Sequence, residues 1–480
     1  MNIKMILYVL GKILKIEGLL LFLPVLVDML YKESVGGDYL LVAISAVLIG
    51  EIVSRREPEN KRIYAKEGFF IVGVSWVLLS LFGAVPFVLT GEIPSYIDAL
   101  FETVSGFTTT GSSILNDLSE MSHSSLFWRS FTHWIGGMGV LVFTVAFIPL
   151  ASGRTMHILK AEMPGPKVGK LVSKVKLTAR ILYFVYAGLT IIQIVLLLFG
   201  GMPLFDSILN SFATAGTGGF SMSNGGIAGY HSAYIEGVIT VFMILFGINF
   251  NIIYFFLIRK MALVFGNEEL KWYLGIILGS ILVIMINIHS MYNNYLEAFR
   301  DASFQVASII TTTGFSTADY DTWPMFSQII LLLLMFVGAS AGSTGGGLKV
   351  SRIVILVKNG IKEIRQLLHP RSVIAVKFEK EALSGKLINN IHAYLSLYIC
   401  IFAIALLILS LENLDFATTF SAIATCINNI GPGFSQVGPT NNFGFLSPLS
   451  KLTLSAVMLL GRLEIFPLLI VFSKSFWKEV

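Results

Sequence analysis

Long apolar runs recur along the whole chain, and they constrain its fold more than any other feature. A helix needs roughly 20 mostly apolar residues to cross the hydrocarbon core of a bilayer. Ten runs approach or exceed that length, at residues 5–30, 38–54, 68–90, 126–150, 177–200, 234–258, 272–290, 326–358, 387–411 and 449–473. The chain is 55% hydrophobic and 13% charged, whereas a soluble domain carries about 25% charged residues. The sequence therefore predicts an all-α integral membrane protein and excludes a soluble globular one.

The charged residues divide the connections between these runs into two classes. Residues 152–180 hold seven Lys and Arg against one Glu, residues 349–386 hold nine against three, and residues 55–66 are also basic. Four other connections together hold one basic residue against twelve acidic ones, and these are residues 91–124, 201–235, 291–324 and 412–447. Basic connections remain in the cytoplasm. We therefore expect the acidic connections outside and both termini in the cytoplasm.

Each acidic connection begins with a short apolar segment and then becomes rich in Thr, Ser and Gly. A segment of about 13 residues reaches about 20 Å as a helix, which is too short to cross the bilayer. Such a segment can enter and return, and non-helical backbone at that depth is tolerated where it lines an aqueous cavity. Four re-entrant segments therefore predict one central aqueous path.

The four segments align with one another on a glycine. The anchors are Gly111, Gly219, Gly314 and Gly433. An Asp stands thirteen residues upstream in the first three copies, whereas the fourth has Phe420 there. We expect four M1–P–M2 units (span, re-entrant half-helix, glycine filter loop, span) around one pore, preceded by two extra transmembrane helices. The predicted boundaries are 1–60 for the two extra helices, then 61–170, 171–265, 266–380 and 381–480 for the four units.

Cation chemistry explains why glycine and threonine recur in these loops. A desolvated alkali cation needs oxygen ligands, and a ring of backbone carbonyls supplies them without adding charge. Glycine adopts the backbone angles that aim carbonyls at an axis, and the half-helices direct their partly negative C-terminal ends towards the same point. The predicted selectivity filter is Thr109, Thr110, Gly111, Gly218, Gly219, Thr313, Gly314, Pro432 and Gly433, with the ion at the carbonyls of all of these except Thr109.

The chain resembles the Trk/Ktr/HKT superfamily of potassium transporters, and within it the TrkH-type pore-forming subunit. Besides the four loops, the matching motifs are residues 129–139, 247–251, 342–349 and 461–464. The resemblance covers essentially the whole chain. It implies potassium uptake across the bacterial inner (plasma) membrane, K⁺ as the transported ion, a homodimer, and a regulatory cytoplasmic nucleotide-binding ring of the TrkA type. Gly111 favours potassium, because family members with Ser at that position tend to pass sodium.

Two positions in these motifs depart from simple expectations. Gly218 stands where the first and third loops have Thr, so we expect weaker coordination there. His133, in the first motif, is interpreted as a packing residue, because the seven His show no metal-binding spacing.

A polar, glycine-rich stretch interrupts the run at 326–358. Its residues are Gly342, Ser343, Thr344, Gly345, Gly346, Gly347 and, shortly after, Lys349. The pattern of a phosphate-binding loop fails, because Leu348 stands where Lys is needed and no strand precedes it. A simple helix kink is one interpretation. We expect instead an unwound intramembrane gating loop below the filter that can obstruct the cavity and move aside.

Arg462 lies thirteen residues into the last apolar run. A charge at the centre of a membrane helix costs about 2.5–3.5 kcal/mol on insertion scales, so it should face the protein interior or water. Two interpretations stay open, an ion pair with another helix and a pore-facing cation that sets an electrostatic barrier to permeation. We expect the barrier, and the two roles are compatible.

The sequence favours transport over catalysis. It contains no recognisable catalytic triad, metal motif or nucleotide fingerprint, and Cys400 and Cys426 imply neither a disulfide framework nor a metal cluster. We expect no enzymatic activity, no bound cofactor and no nucleic-acid partner, and contact with membrane lipid. The alternative is an alternating-access cation symporter coupled to Na⁺ or H⁺. That class would predict inverted repeats, whereas these four units share one orientation.

Overall fold

The described part of the chain is almost entirely helical. The structure is a computed structural model that describes residues 1–139, 175–223, 225–473 and 477. Within these ranges the strands form one hairpin, in which β1 (Lys377–Phe378) runs antiparallel to β2 (Glu381–Ala382). The predicted all-α membrane fold is confirmed apart from this small hairpin.

The first apolar run forms two helices rather than one. α1 (Ile3–Leu20) ends at the residue before Leu21, and α2 (Phe22–Tyr31) begins directly after it. Pro24 has no N–H to donate to the carbonyl of Leu20, so the helical hydrogen-bond ladder is interrupted there. The two predicted N-terminal transmembrane helices are thus three helices, the third being α3 (Gly36–Val53).

Glycines allow α3 to pack closely along α1. A Cβ built on Gly50 would lie 2.6 Å from the carbonyl oxygen of Gly11, and one on Gly18 would lie 2.8 Å from that of Ala43. Small residues let membrane helices approach to this degree. The two helices therefore form a tight hairpin against the rest of the protein.

The remaining helices follow a recurring order of a long apolar helix, a short helix, a glycine loop and a further helix. In chain order they are α4 (Ala65–Leu89), α5 (Tyr96–Phe107), α6 (His123–Met138), α7 (Val175–Phe199), α8 (Leu204–Gly216), α9 (Ala233–Phe246), α10 (Phe250–Leu257), α11 (Met261–Gly266), α12 (Glu268–Ile288), α13 (Tyr295–Ile310), α14 (Met325–Val337), α15 (Val350–Leu368), α16 (Gly385–Leu409), α17 (Phe416–Asn428), α18 (Pro448–Arg462) and α19 (Phe466–Leu469). The long helices are α4, α7, α12 and α16, and the short ones are α5, α8, α13 and α17.

Among the described residues, five helices are long and apolar enough to cross a bilayer, namely α3, α4, α7, α12 and α16. α9 and α10 together make a sixth candidate that is bent by 102°. The predicted spans 326–358 and 449–473 are each divided into two helices. The span 126–150 continues from α6 into residues outside the described ranges. Hydropathy therefore predicts the apolar runs. The polar, glycine-rich stretch also predicts the break in the run 326–358, whereas the breaks in the runs 234–258 and 449–473 are not predicted.

The short helices end in the interior of the protein. Three of them begin at a side-chain cap, because Ser95, Asn294 and Asp415 each accept a hydrogen bond from the backbone N–H three residues later. Such a cap satisfies one of the free donors at a helix start. The last residues of the four short helices are all buried, and these are Phe107, Gly216, Ile310 and Asn428. The caps and buried ends fix where each glycine loop begins.

The predicted boundaries between the units stay a prediction. Residue 61 lies between α3 and α4, residue 266 ends α11 and residue 381 lies in β2. Residue 171 lies outside the described residues.

Candidate functional site

The four glycine loops share one backbone conformation. In each, a non-glycine residue has a positive φ of 54° to 59°, and a glycine two residues later has a positive φ of 73° to 108°. The pairs are Thr109 and Gly111, Thr217 and Gly219, Thr312 and Gly314, and Asn429 and Gly431. Positive φ is uncommon for residues other than glycine. Its recurrence at the same two positions shows that the four loops are built alike.

One recurring hydrogen bond fixes the residue between the members of each pair. Its N–H donates to the carbonyl oxygen five residues earlier, at 2.8 or 2.9 Å. The bonds run from Thr110 to Ser105, from Gly218 to Ala213, from Thr313 to Ser308 and from Ile430 to Thr425. Each donor residue thus makes the last hydrogen bond to its short helix, and the carbonyl of the same residue belongs to the loop. Thr110, Gly218, Thr313 and Ile430 are therefore equivalent positions.

The loops contact one another in chain order, and the fourth contacts the first. A Cβ built on Gly111 would lie 2.0 Å from the carbonyl oxygen of Gly218. The corresponding distances are 2.0 Å from Gly219 to Thr313, 1.9 Å from Gly314 to Ile430 and 2.9 Å from Gly431 to Thr110. Real Cβ atoms essentially never approach another atom within 3.0 Å. Close approach as well as φ therefore requires glycine at these positions, and the four loops close into a ring.

The first three loops contain the predicted filter residues in equivalent positions. Thr110, Gly218 and Thr313 carry the carbonyls that face the neighbouring loop, and the glycine that follows each of them makes the close approach. Thr109 directly precedes the first of these and has a positive φ of 54°. The structure thus brings these residues together, while their role in binding an ion stays a prediction.

The fourth loop differs from its prediction. The sequence predicts Pro432 and Gly433 as filter residues, but Ile430 and Gly431 occupy the equivalent positions. The carbonyl of Gly433 accepts a hydrogen bond of 2.9 Å from the Tyr320 hydroxyl, so it is directed elsewhere. The prediction is wrong by two residues. This loop has one glycine on each side of Pro432, and it lacks the upstream Asp that aligns the other three loops.

A cavity of about 360 Å³ opens on the side of the ring where the chain continues beyond the glycines. All four loops border it, through Gly111, Gly219, Gly314 and Gly431. Pro432 also lines this cavity rather than the ring itself. One space therefore leads to the ring from this side.

The polar stretch between α14 and α15 is unwound, and it contains all seven predicted gating residues. Positive φ values of 72° to 78° occur at Gly338, Gly342, Gly347 and Lys349. Residues with such dihedrals cannot continue a right-handed helix. Residues 338–349 therefore form a loop rather than a kinked helix, and we call them the intramembrane segment.

The intramembrane segment lies against the ends of two short helices. The Gly346 N–H donates to Thr312 Oγ1 at 2.6 Å, and the Gly347 N–H donates to the Asn428 carbonyl at 3.1 Å. A Cβ built on Gly346 would lie 2.3 Å from that same Asn428 oxygen. The segment thus contacts the third and fourth loops from the side of the short helices, opposite to the cavity.

The break between α9 and α10 supplies a second set of contacts to the intramembrane segment. The Ser340 N–H donates to the Gly247 carbonyl, and the Phe250 N–H donates to the Gly342 carbonyl, both at 3.1 Å. Thr344 Oγ1 donates to the Phe246 carbonyl at 3.2 Å. Because of the 102° bend, these backbone groups have no hydrogen-bond partner within a continuous helix, and the segment provides the partners. This pairing accounts for the glycine-containing motif at 247–251.

Glu269, in the first turn of α12, binds one backbone N–H of the segment and one of the first turn of α15. Its Oε1 accepts hydrogen bonds from the Ala341 N–H at 2.7 Å and the Ser351 N–H at 3.2 Å. Lys349 Nζ donates to the Gly345 carbonyl and closes the segment on itself. Sequence reasoning misses Glu269, although a carboxylate at the start of an apolar run is a signal that could have found it.

Arg462 lies beside the intramembrane segment and binds backbone carbonyls. Its guanidinium donates to the Thr344 carbonyl at 2.7 Å, the Gly136 carbonyl at 2.6 Å and the Gly137 carbonyl at 2.8 Å. The residue therefore joins the segment to the C-terminal end of α6. Neither sequence interpretation includes these contacts, because both consider only side chains and the permeating ion.

A partly buried ion pair lies close to Arg462 in the sequence. Arg352, in the first turn of α15, binds Glu464 with an N–O distance of 2.5 Å, and its Cζ lies 4.3 Å from the centroid of the Tyr394 ring. Arg352 Nη1 also donates to the Leu348 carbonyl at 3.2 Å. The end of the intramembrane segment is thus attached to the fourth unit by charge as well as by backbone hydrogen bonds.

Comparisons with known proteins agree on one family. The model of the TrkH family, described as a cation transport protein, matches residues 41–479. The Trk system potassium uptake protein TrkH of Salmonella typhimurium is 36% identical over 468 residues, covering 96% of both chains. The Escherichia coli K12 protein of the same name is 35% identical over 481 residues, covering 97% of this chain and 99% of that one. The crystal structure of the potassium transporter TrkH from Vibrio parahaemolyticus matches with a TM-score of 0.89 at 31% identity and covers 100% of both chains.

Proposed function

The chain belongs to the TrkH family of cation transport proteins, and we propose that it takes up potassium ions through the ring formed by its four glycine loops. The observation that carries this proposal is the closure of the ring, in which each loop directs a carbonyl at the glycine of the loop before it, and the first loop directs one at the glycine of the fourth. The relatives from Salmonella typhimurium and Escherichia coli are potassium uptake proteins by name.

The ring carbonyls replace the water molecules of a potassium ion. The residues concerned are Thr110, Gly111, Gly218, Gly219, Thr313, Gly314, Ile430 and Gly431. Carbonyl dipoles bind a cation without adding net charge, so the ion can also leave. The short helices end at the ring, and the partial negative charge of their C-termini favours a cation over an anion.

The intramembrane segment acts as the gate. It contacts the ring from the side opposite to the cavity, so a permeating ion has to pass it. Moving it aside breaks the hydrogen bonds from Gly346 to Thr312, from Gly347 to Asn428 and from Arg462 to Thr344. Each such bond contributes about 0.5–1.5 kcal/mol net. Their sum makes the open state a minor population that a regulatory partner can increase.

Arg462 has two roles in this proposal. It holds the gate closed through the Thr344 carbonyl, and its charge lies near the path that the ion takes after the ring. In a region of low dielectric constant, a fixed positive charge raises the free energy of a nearby cation substantially. Both roles reduce flux while the segment is in its closed position.

A cytoplasmic nucleotide-binding ring of the TrkA type regulates the gate in a homodimeric complex. The relatives are components of a Trk system by name. α15 begins directly after the intramembrane segment and lies within the basic residues 349–386, which the charge distribution assigns to the cytoplasm together with both termini. A partner that moves α15 therefore pulls on the segment.

Flux through the purified chain tests this function. The chain is reconstituted in liposomes loaded with potassium, and rubidium uptake is measured with external potassium or sodium as competitor. We expect external potassium to inhibit rubidium uptake much more strongly than sodium does. We also expect a potassium gradient alone to drive the uptake. Uptake that requires a sodium or proton gradient would support the symporter alternative, and equal competition by both ions would contradict a potassium-selective ring.

The Gly314→Ala variant connects that flux to the ring. Its Cβ would lie 1.9 Å from the Ile430 oxygen, so we expect selective uptake to be lost. Gly188→Ala, in α7, is the matched control, because a Cβ there has no atom within 4 Å. Selective uptake by the Gly314→Ala variant would exclude the ring as the ion path.

A further inference from the structure

A pair of threonines supports the first and the third loops. Thr108 Oγ1 lies 2.8 Å from Thr110 Oγ1, and Thr311 Oγ1 lies 2.7 Å from Thr313 Oγ1. The first member of each pair also donates to the carbonyl four residues earlier in its short helix, at 2.6 Å. The pair thus ties the ring residue to the end of its own helix.

The other two loops lack this pair. In the fourth loop the equivalent residues are Asn428 and Ile430, and Asn428 Oδ1 accepts a hydrogen bond of 3.0 Å from the hydroxyl of Tyr398 on α16. In the second loop the equivalent residues are Gly216 and Gly218, which have no side chains. A support for the second loop therefore has to come from another helix, as it does for the fourth.

His133, on α6, fills the space that a threonine pair would occupy in the second loop. A Cβ built on Gly218 would lie 2.1 Å from His133 Nδ1, and one on Gly216 would lie 2.2 Å from the His133 carbonyl oxygen. The His133 side chain is fully buried, and its ring centroid lies 4.1 Å from that of Phe220. The imidazole thus packs directly behind a ring residue and beside the residue that follows Gly219.

Arg129, one turn earlier on α6, holds the far end of the same loop. Its Cζ lies 3.5 Å from the centroid of the Phe220 ring, and its Nη1 donates to the Ser221 carbonyl at 3.1 Å. A buried ion pair with Glu102, at 2.6 Å, keeps Arg129 in place. The first unit therefore provides a rigid wall for the loop of the second unit, with His133 at the position nearest to the ring.

We propose that His133 is a positioning residue for the second filter loop and that it thereby determines how strongly the ring prefers potassium to sodium. The inference rests on the proposed function of the ring. Glycine has more backbone freedom than any other residue, so the segment from Gly216 to Gly218 is the part of the ring that its own sequence restrains least. The imidazole blocks its movement away from the axis and so keeps one quarter of the carbonyl oxygens at the distance that suits a potassium ion.

The test compares single and double variants of the full chain in liposomes, with the potassium-to-sodium permeability ratio as the readout. We expect His133→Ala to reduce this ratio about tenfold, which corresponds to about 1.4 kcal/mol. Gly218→Thr alone should reduce it at least as much, because its Cβ overlaps the imidazole. Gly218 has no positive φ, so threonine suits its backbone. The double variant His133→Ala/Gly218→Thr should therefore recover much of the lost selectivity, since the threonine then has room.

Two further variants keep the proposal falsifiable. Phe131→Ala is the matched control, because Phe131 is a buried aromatic residue of α6 that packs on Phe127 and Trp134. It should lower thermal stability without changing the permeability ratio. If His133→Ala does not fold, Gly218→Ala retains the imidazole but displaces it, and the ratio should again fall.

Two results would overturn the proposal. One is an unchanged permeability ratio in a folded His133→Ala protein, or in Gly218→Ala if the first variant does not fold. The other is a double variant that is no more selective than either single variant. A wild-type chain that does not discriminate potassium from sodium would instead overturn the proposed function of the ring.

Discussion

The Arg462 guanidinium donates a hydrogen bond of 2.7 Å to the carbonyl oxygen of Thr344, although the two residues lie 118 positions apart in the chain. The same side chain reaches the carbonyls of Gly136 and Gly137. One cation at the end of α18 therefore connects the intramembrane segment with the first unit. Substitution of this residue should affect the movement of the segment as well as the local charge.

Arg462→Ala should increase cation flux and lower stability together. The substitution releases the segment and removes a positive charge from the ion path, so we expect rubidium flux to rise several-fold. It also leaves buried carbonyls without a donor, which costs about 1–3 kcal/mol. Flux into liposomes and thermal unfolding in detergent would be measured on the same protein preparation.

Arg300→Ala provides the comparison for this prediction. Arg300 forms ion pairs with Glu236 at 2.9 Å and with Asp301 at 3.5 Å, and its side chain is 41% exposed. Flux through this variant should equal that of the wild type. Lower stability of Arg462→Ala without any gain in flux would mean that Arg462 is a structural residue and not part of the gate.

Gly111→Ser should weaken the preference for potassium over sodium by about tenfold or more. Serine at a φ of 83° is strained, and its Cβ would lie 2.0 Å from the Gly218 oxygen. Both effects displace one quarter of the ring, and about 1.4 kcal/mol of relative ion affinity corresponds to tenfold. Reversal potentials in mixed potassium and sodium gradients would measure the change. Gly275→Ser, in α12, is the control and should not change selectivity, because a Cβ there has no atom within 4 Å. Unchanged selectivity in Gly111→Ser would exclude Gly111 from the filter.

Gly346→Ala should favour the open position of the intramembrane segment. Gly346 has no positive φ, so alanine suits its backbone, but its Cβ would lie 2.3 Å from the Asn428 oxygen. The segment can relieve this overlap by moving away from the ring. We expect higher rubidium flux through the purified chain, with Gly279→Ala in α12 as the control glycine. Lower flux would indicate that the segment is displaced into the ion path instead.

The stability of the protein should depend on the protonation of Asp321, which supports the fourth loop. Its Oδ2 accepts a hydrogen bond of 3.0 Å from the Ser435 N–H. Burial, opposed by the hydrogen bond from the Ser435 N–H and assisted by the neighbouring Asp319 carboxylate, raises the pKa of Asp321 from its ordinary value of 3.8 to about 6. The folded state therefore binds the proton more tightly than the unfolded state does, so this contribution to stability is complete below about pH 3.8 and is lost as the pH rises through about 6.

Asp321→Asn should remove that part of the pH dependence. Asparagine retains an oxygen acceptor for Ser435 but carries no charge, so the variant should gain stability relative to the wild type as the pH rises from 4 to 7. Asp321 is only half-buried, so after allowance for solvent screening we expect less than about 1 kcal/mol. Thermal unfolding across this pH range would measure it. Asp319→Asn should shift the transition to lower pH, and identical profiles for all three proteins would exclude Asp321 as the titrating group.

The sequence predicts the helical fold and three of the four loops, because both leave residue-type patterns. Gly111, Gly219 and Gly314 each follow an Asp at the same spacing, which aligns the three loops. Glycine is required at these positions because each lies close to a carbonyl of a neighbouring loop. The fourth loop lacks that Asp and has glycines at 431 and 433. Composition cannot distinguish these two glycines, whereas backbone dihedrals do.

Contacts to backbone atoms are the features that the sequence does not reveal. Arg462 and Glu269 bind carbonyl and N–H groups of the intramembrane segment, and every residue type supplies those groups. The polar, glycine-rich residues 342–347 mark the break at 338–349 in the sequence. The break at 247–249 is hidden in the hydropathy of the run around it, because it depends on hydrogen bonds to a distant part of the chain.

The four contacts between neighbouring loops of the ring are unequal. A Cβ built on the glycine would lie 2.0, 2.0, 1.9 and 2.9 Å from the neighbouring carbonyl oxygen, because one polypeptide supplies four different quadrants. In a channel built from four identical subunits, a single codon change alters all four quadrants together, and the assembly has to tolerate the alteration four times over. Here such a change affects one quadrant, and in the proposed filter the other three would continue to hold the ion. Ion preference can therefore evolve in small steps in this architecture, one quarter of the coordination shell at a time.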